Sequence, residues 1–353
     1  MSGAKYTNEI SLKMSKTLTI DIHTHILPEN IPNWKEQFGY GGFITLDHHC
    51  AGCAKMMRDD GHFFRAIEAN CWCPDKRLEE CDEHEVHVQV LSTVPVMFAY
   101  WAQPEHCLEV SVFLNDHIAE IVKRHPKRYV GLGTLPMQHT DLAIQELRRC
   151  KDLGLKGVQI GTNVNQLNLN EAQFFPIFQA IQDMDMALFV HPWEMMGETH
   201  MQRYWLPWLV GMPAETCRAV CSLLFGGVLE RLPGLRVCFA HGGGSFPLTL
   251  GRIQHGFDCR PDLTAVDNNV PPRKYVGSFW IDSLVHDSGA LDYVASVFGT
   301  RKVALGSDYP FPLGESRPGS LVKGMDHWTD DMKNDVLHNA ALDWLNMKAD
   351  DFL

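Results

Sequence analysis

Four short apolar runs in this chain each end in a residue able to hold a metal ion, and this recurrence constrains the fold more than any other feature. They are Leu18-Thr-Ile-Asp-Ile-His-Thr-His25, Ala187-Leu-Phe-Val-His191, Val237-Cys-Phe-Ala-His241 and Val303-Ala-Leu-Gly-Ser-Asp308. Each has the length and composition of a buried strand, with the ligand type at or just past its C-terminal end. Side chains alternate along a strand, so His23 and His25 are expected on one face, with Ile20, Ile22 and Thr24 on the other. Repeated from Leu18 to Asp308, the arrangement predicts one polar mouth built from several parallel strands.

The intervening segments supply the matching helices. A helical period returns at Pro74, with Leu78, Cys81 and Val86 spaced for an apolar stripe. Further helices are expected over 110–125, 141–153 (capped by Thr140 or Asp141 and stopped by Gly154), 174–183, 213–230 and from Thr329 onward. Strands are expected over 86–94, 129–135, 157–161, 236–241, 277–283 and 302–305. About eight strands alternating with helices predict a (β/α)8 barrel. A doubly wound sheet is disfavoured because the first strand runs into His-Thr-His rather than a glycine-rich phosphate loop. Residues 28–73 break the alternation. Their glycines and short alternating runs predict a small hairpin-rich insertion after strand one, inside a single domain spanning 18–353.

Size and charge narrow the partners. A chain of 353 residues, 45% hydrophobic and 21% charged, has ample material for one large core. A formal charge of −12 argues against nucleic acid or an anionic membrane surface as partner, while leaving room for a small anionic substrate gripped by a few arginines. The eleven cysteines have no disulfide-scaffold rhythm and are read as reduced thiols of a cytosolic protein. Residues 1–17 form an extension, expected to be disordered, with Lys5, Lys13 and Lys16 but no apolar core of a secretory signal. No apolar stretch approaches the ~20 residues of a spanning helix.

Imidazole and carboxylate suit Zn2+, which assigns His23, His25, His191 and Asp308 as ligands. His241, followed by Gly242-Gly-Gly244, reads either as a fifth ligand or, better, as a general base toward metal-activated water. Lys156 precedes the fourth strand instead of ending it, so no bridging ligand is evident and one metal is expected per subunit. His48, His49, Cys50, Cys53, Cys71 and Cys73 form a second group. Cys50-Ala-Gly-Cys53 has zinc-knuckle spacing, but Cys71-Trp-Cys73 does not, and reduced thiols are preferred there over a structural zinc. Arg65 is either a bidentate grip on a substrate carboxylate or a surface ion pair. Trp193, Trp205 and Trp208 either wall a flat conjugated substrate or pack an interface.

Longer motifs carry a resemblance. Asp21-Ile-His-Thr-His-Ile-Leu-Pro28, Leu91-Ser-Thr-Val-Pro-Val-Met-Phe98, Gly131-Leu-Gly-Thr-Leu-Pro-Met137, 204–215, Ala240-His-Gly-Gly-Gly244 and 306–315 resemble the 2-amino-3-carboxymuconate semialdehyde decarboxylase family of the amidohydrolase superfamily, over about 18–345. The resemblance implies Zn2+ on His23, His25, His191 and Asp308, His241 as the acid/base residue, and Arg65 on a substrate carboxylate. It also implies that Arg252 is supplied across the interface of a homodimer. The reaction implied is oxygen-independent loss of CO2 in tryptophan–kynurenine catabolism, which limits quinolinate and NAD formation. A hydrolase of the same superfamily opening a dicarboxylate lactone is the alternative. Ser307 stands where this family commonly has threonine, and Cys50, Cys53 and Cys73 are not part of its pattern.

Overall fold

The computed structural model describes residues 18–352. In chain order the strands are β1 (Ile20–Ile26), β2 (Ile44–Cys50), β3 (Cys53–Arg58), β4 (Phe63–Glu68), β5 (Val88–Thr93), β6 (Tyr129–Gly133), β7 (Gly157–Gly161), the two-residue β8 (Asn163–Val164) and β9 (Leu167–Asn168), β10 (Ala187–His191), β11 (Val237–Phe239), β12 (Trp280–Asp282) and β13 (Val303–Ala304). Eight of them form one parallel sheet in the order β1-β5-β6-β7-β10-β11-β12-β13. The sheet closes on itself: Ile22 N–H donates to the Leu305 carbonyl and Asp308 N–H to the His23 carbonyl, both at 2.8 Å. This is the expected (β/α)8 barrel. Helices such as Pro104–Arg124, Thr140–Asp152, Phe175–Asp183 and Met212–Phe225 connect its strands. The expected N-terminal extension, 1–17, lies outside the described residues.

Two apolar regions hold the barrel together. Leu91, Ile160, Val190 and Phe239 pack outward against the helices, while Ile20, Val90, Leu132 and Phe189 fill the interior. The far end is plugged by fully buried Trp344, whose indole N–H donates to the Arg236 carbonyl while Arg236 Nε donates back to the Trp344 carbonyl. None of the described helices is long and apolar enough to cross a membrane.

The strict alternation expected of strand one does not hold. Ile20 and Ile22 pack inside the barrel with Phe189, so they share the interior with His23 and His25 rather than taking the opposite face. The pairing register of β1 on β5 shifts between Asp21 and Thr24. Such an irregularity inserts backbone and re-aims the side chains beyond it, here bringing two histidines to the mouth. Other expected boundaries also move. The helix expected over 213–230 breaks at Gly226 and left-handed Gly227 (φ 66°), continuing as Val228–Arg231. Val86 falls outside its expected helix, which spans Pro74–Glu83, and His139, not Thr140 or Asp141, caps the helix Thr140–Asp152.

The insertion is a three-stranded antiparallel sheet, β2-β3-β4, preceded by a short helix, Trp34–Phe38. Across it Met56 of β3 pairs with Arg65 of β4, and Arg65 reaches the barrel mouth. Reduced thiols are not what β2 and β3 present: Cys50 and Cys53 pair directly across the turn and their sulfurs are joined as a disulfide, while nine other cysteines are free.

Candidate active site and metal centre

His23, His25, His191 and His241 converge at the C-terminal end of the barrel, with adjacent ring centroids 5.0–5.1 Å apart. Candidate ligand atoms of His23, His191, His241 and Asp308 all lie within 4.8 Å of one another. His25 Nε2 joins them, 3.2 Å from His23 Nε2 and 3.1 Å from Asp308 Oδ1. Every candidate named for the metal is therefore in one place.

The way these rings are held explains what they face. His23 Nδ1 lies 2.7 Å from Asp282 Oδ2, His25 Nδ1 lies 3.1 Å from the Thr93 carbonyl, and His191 Nδ1 lies 2.9 Å from the Pro192 carbonyl. Each acceptor fixes the tautomer with hydrogen on Nδ1 and leaves Nε2 aimed inward as a lone-pair donor, as metal-ligating imidazoles are held. His191 Nε2 is buried and has no hydrogen-bond partner among the described residues. A buried acceptor of this kind is costly unless something occupies its lone pair. The donor set fits a divalent ion.

Charge states agree. Burial, reinforced by the neighbouring imidazoles, holds His191 well below the usual histidine range, and burial lowers His25 as well. Burial resists ionisation of Asp308, but His241, His25 and His23 outweigh it and keep this carboxyl well below its ordinary range. Neutral imidazoles and an ionised carboxylate are the forms that bind metal. His241 differs: burial opposes its charge, yet Asp308 raises its pKa overall. Its Nε2 lies 3.8 Å from Asp308 Oδ2, within ion-pair range.

His241 and Asp308 both adopt left-handed backbone, with φ of 56° and 59°. Such conformations cost non-glycine residues free energy and recur at functional sites. Gly242, Gly243 and Gly244 continue the left-handed path, and a Cβ at Gly244 would lie 2.4 Å from the Pro213 carbonyl oxygen. The glycines thus permit the turn and its packing.

Asp282 was not among the expected site residues. Besides orienting His23, it accepts the backbone N–H groups of His241 at 2.8 Å and Gly242 at 2.7 Å. It ends β12 as the candidate ligands end their strands, which was the available signal. Arg77 was also unforeseen. Fully buried behind β1, it donates to the His25 carbonyl at 2.7 Å and to Gln89 Oε1 at 3.1 Å, with no carboxylate in ion-pair range among the described residues. β7 offers Gln159, hydrogen-bonded to Ser92 and Thr93, and no bridging ligand.

A narrow cavity opens on His25, His191 and Asp308. Arg65, Trp193, Trp205, Trp208 and Phe311 line it. The Arg65 guanidinium sits 4.4 Å over the Phe311 ring and has no carboxylate in ion-pair range among the described residues. Burial lowers its pKa, but an arginine stays charged. The surface-ion-pair reading of Arg65 is not what the geometry gives. Arg252 is not brought into this cavity: it is exposed on the helix Phe246–Cys259.

Residues 20–347 match the amidohydrolase family. Over 96% of this chain and 94% of its own length, a 2-amino-3-carboxymuconate-6-semialdehyde decarboxylase of Dictyostelium discoideum is 57% identical. The Caenorhabditis elegans protein of that name is 38% identical over 94% of this chain and 95% of its own. Among solved structures, Metarhizium anisopliae IDCase in apo form superposes with a TM-score of 0.81 at 19% identity, covering 94% of this chain and 98% of that one. A manganese-bound dihydroxybenzoic acid decarboxylase from Polaromonas gives 0.73 at 19% identity, covering 95% and 99%. At those identities the superpositions speak for the fold. The curated relatives speak for descent: the chain belongs to the amidohydrolase family, in the branch of the 2-amino-3-carboxymuconate-6-semialdehyde decarboxylases.

Proposed function

We propose that this chain is a metal-dependent carboxy-lyase that removes CO2 from 2-amino-3-carboxymuconate 6-semialdehyde without oxygen, giving 2-aminomuconate 6-semialdehyde. The 57% identity to a curated enzyme of that name, over nearly the whole chain, carries this reading. With that activity the protein limits quinolinate and NAD formation in the tryptophan–kynurenine route. The curated relatives described above are decarboxylases, which disfavours the lactone hydrolase.

His23, His25, His191 and Asp308 would hold one divalent ion, proposed to be Zn2+ because three imidazole nitrogens and a carboxylate suit it. Bound there, the ion supplies Lewis acidity that brings the ionisation of water close to neutral pH. His241 would accept a proton from water at the site and return one to the carbon that has lost CO2, while the hydroxide left behind regains a proton from solvent, which is the one proton consumed when a carboxylate is replaced by hydrogen. Arg65 binds a substrate carboxylate with its fork of N–H donors, and the tryptophans flank the conjugated chain.

Arg252 completes the grip from a second subunit of a homodimer. Leu248 is 79% exposed and lies one turn before Arg252 on the same helical face, while Leu209 and Val210 are also exposed nearby in sequence to Trp208. An apolar groove leads from Leu248 past Trp208 to His241, a route by which a partner's side chain can approach. The nine free cysteines support a cytosolic location.

The test is direct. Purified protein mixed with the substrate should consume it with release of one CO2 per molecule, and chelation should abolish turnover. Absence of CO2 with the metal-loaded protein would overturn the proposal.

A further inference from the structure

The tip of the insertion carries a second constellation of metal-ligating side chains, separate from the group at the barrel mouth. Cys50 and Cys53 face each other as a directly paired position of β2 and β3, with Cα atoms 5.3 Å apart across the Ala51-Gly52 turn. Alternation alone would send the side chain of His49 to the opposite face from Cys50. The β2–β3 register shifts between Asp47 and Cys50, however, and His49 Nε2 comes to lie 3.6 Å from Cys53 Sγ. Donor atoms of all three residues fall within 4.8 Å of one another.

Two further observations separate this group from a chance meeting of polar side chains. His49 Nδ1 lies 3.3 Å from the Asp47 carbonyl, which leaves Nε2 directed at the sulfurs. The three barrel histidines are held in the same manner, by Nδ1 on an oxygen acceptor with Nε2 toward the ligand position. His48, by contrast, spends its Nε2 on the Glu29 carbonyl and faces the Trp72 ring. The Cys50–Cys53 disulfide closes a loop of only two intervening residues, so it removes less chain entropy from the unfolded state than a longer loop would. Its value as a staple is small, and the dithiol is the more informative form.

We propose that His49 Nε2, Cys50 Sγ and Cys53 Sγ form a second metal site, which takes a thiophilic divalent ion of the Zn2+ class when the cysteines are reduced. The fourth position is open to solvent or an external donor, because Cys50 and His49 are exposed. The steps balance. A dithiol reductant transfers two electrons and two protons to the disulfide, becoming a cyclic disulfide itself. Binding of the ion then releases the two thiol protons as both sulfurs become thiolates.

The full-length protein, reduced with a dithiol and desalted anaerobically, would be loaded with Zn2+ and its bound metal measured. Wild type should hold one equivalent more than the C50S/C53S double variant, and the variant should keep its decarboxylase turnover. Loading with Co2+ should give thiolate-to-cobalt charge-transfer absorption in wild type and none in the double variant. H49A should weaken binding at this site about tenfold or more. Equal metal content in wild type and double variant, or a charge-transfer band that survives the loss of both cysteines, would overturn the proposal. Should the variant fold poorly, protection of Cys50 and Cys53 from alkylation by added Zn2+ in wild type provides the independent readout. Full alkylation in saturating Zn2+ counts against the site.

Discussion

Asp282 Oδ2 lies 2.7 Å from His23 Nδ1, and the same oxygen accepts the backbone N–H of His241 at 2.8 Å. One carboxylate thus fixes a candidate ligand and the turn that carries His241, the candidate acid/base residue. Asp282→Asn keeps the shape but places an NH2 against groups that need an acceptor. Metal affinity is expected to fall about 10- to 100-fold, with turnover falling alongside even at saturating metal because His241 also shifts. Metal titration of the variant, read beside its activity, separates the two effects. Unchanged affinity would remove Asp282 from this role.

Arg65 is a cation at the cavity wall with no carboxylate in ion-pair range among the described residues, Asp308 acting on it only from a greater distance, so its N–H fork is open to a ligand. Arg65→Met should lower kcat/KM by at least about 2 kcal/mol, roughly thirtyfold, with metal content unchanged. Arg65→Lys should recover only part of this, because an ammonium lacks the bidentate fork. Steady-state kinetics on the three proteins, with bound metal quantified in each, checks it. A full rescue by lysine would mean that charge alone matters.

The turn at 241–244 makes a stability prediction. Gly244 has φ +61°, and a Cβ there meets the Pro213 carbonyl oxygen at 2.4 Å and Thr216 Cβ at 2.8 Å. Gly244→Ala combines backbone strain with a clash against main chain that cannot swing aside. It should destabilise the protein by about 2–3 kcal/mol and displace His241, lowering the denaturant midpoint and the activity together. A variant as stable as wild type would show that the turn relaxes freely.

How far the sequence carried is clearest at the strand ends. His23, His25, His191 and Asp308 were legible because each closes an apolar run long enough to recognise, and parallel strands must deliver their ends to one mouth. Asp282 obeys the same rule but closes a strand of three residues, Trp280–Asp282, behind a left-handed Gly277, so the run is diluted by turn. The register shift in β1 was invisible because period-two reasoning assumes an unbroken ladder. Arg77 shows another limit. It sits in a polar helical segment, and only the assembled barrel reveals that its guanidinium donates to the His25 carbonyl and Gln89.

Acid should destabilise the fold partly through His117, on the helix Pro104–Arg124. Burial, assisted by Arg124 and Arg77, lowers its pKa to about 4, and its Nδ1 has no hydrogen-bond partner among the described residues. In the unfolded chain the group titrates near 6.5. Between these values the unfolded state binds more protons, so the contribution to stability is fully present above about pH 6.5. It is lost as pH falls toward 4, and amounts to on the order of 2–3 kcal/mol. His117→Leu removes the titration, and its unfolding free energy should vary less steeply with pH over that window than that of wild type. Parallel slopes would show that His117 does not govern this part of the acid response.

Arg65 and Arg252 belong to different parts of the chain, one inside the cavity and one exposed on the helix Phe246–Cys259. If each active site draws Arg65 from its own subunit and Arg252 from the partner, both single variants lose activity while retaining metal. Mixing Arg65→Ala with Arg252→Ala under conditions of subunit exchange then forms heterodimers in which one site lacks both arginines and the other lacks neither. Activity should return to about one quarter of wild type at equal mixing, since half the dimers are mixed and half their sites are intact. Had both arginines come from the same subunit, every site would lack one and nothing would return. Activity after mixing, with exchange verified by differently tagged subunits, decides between the two arrangements.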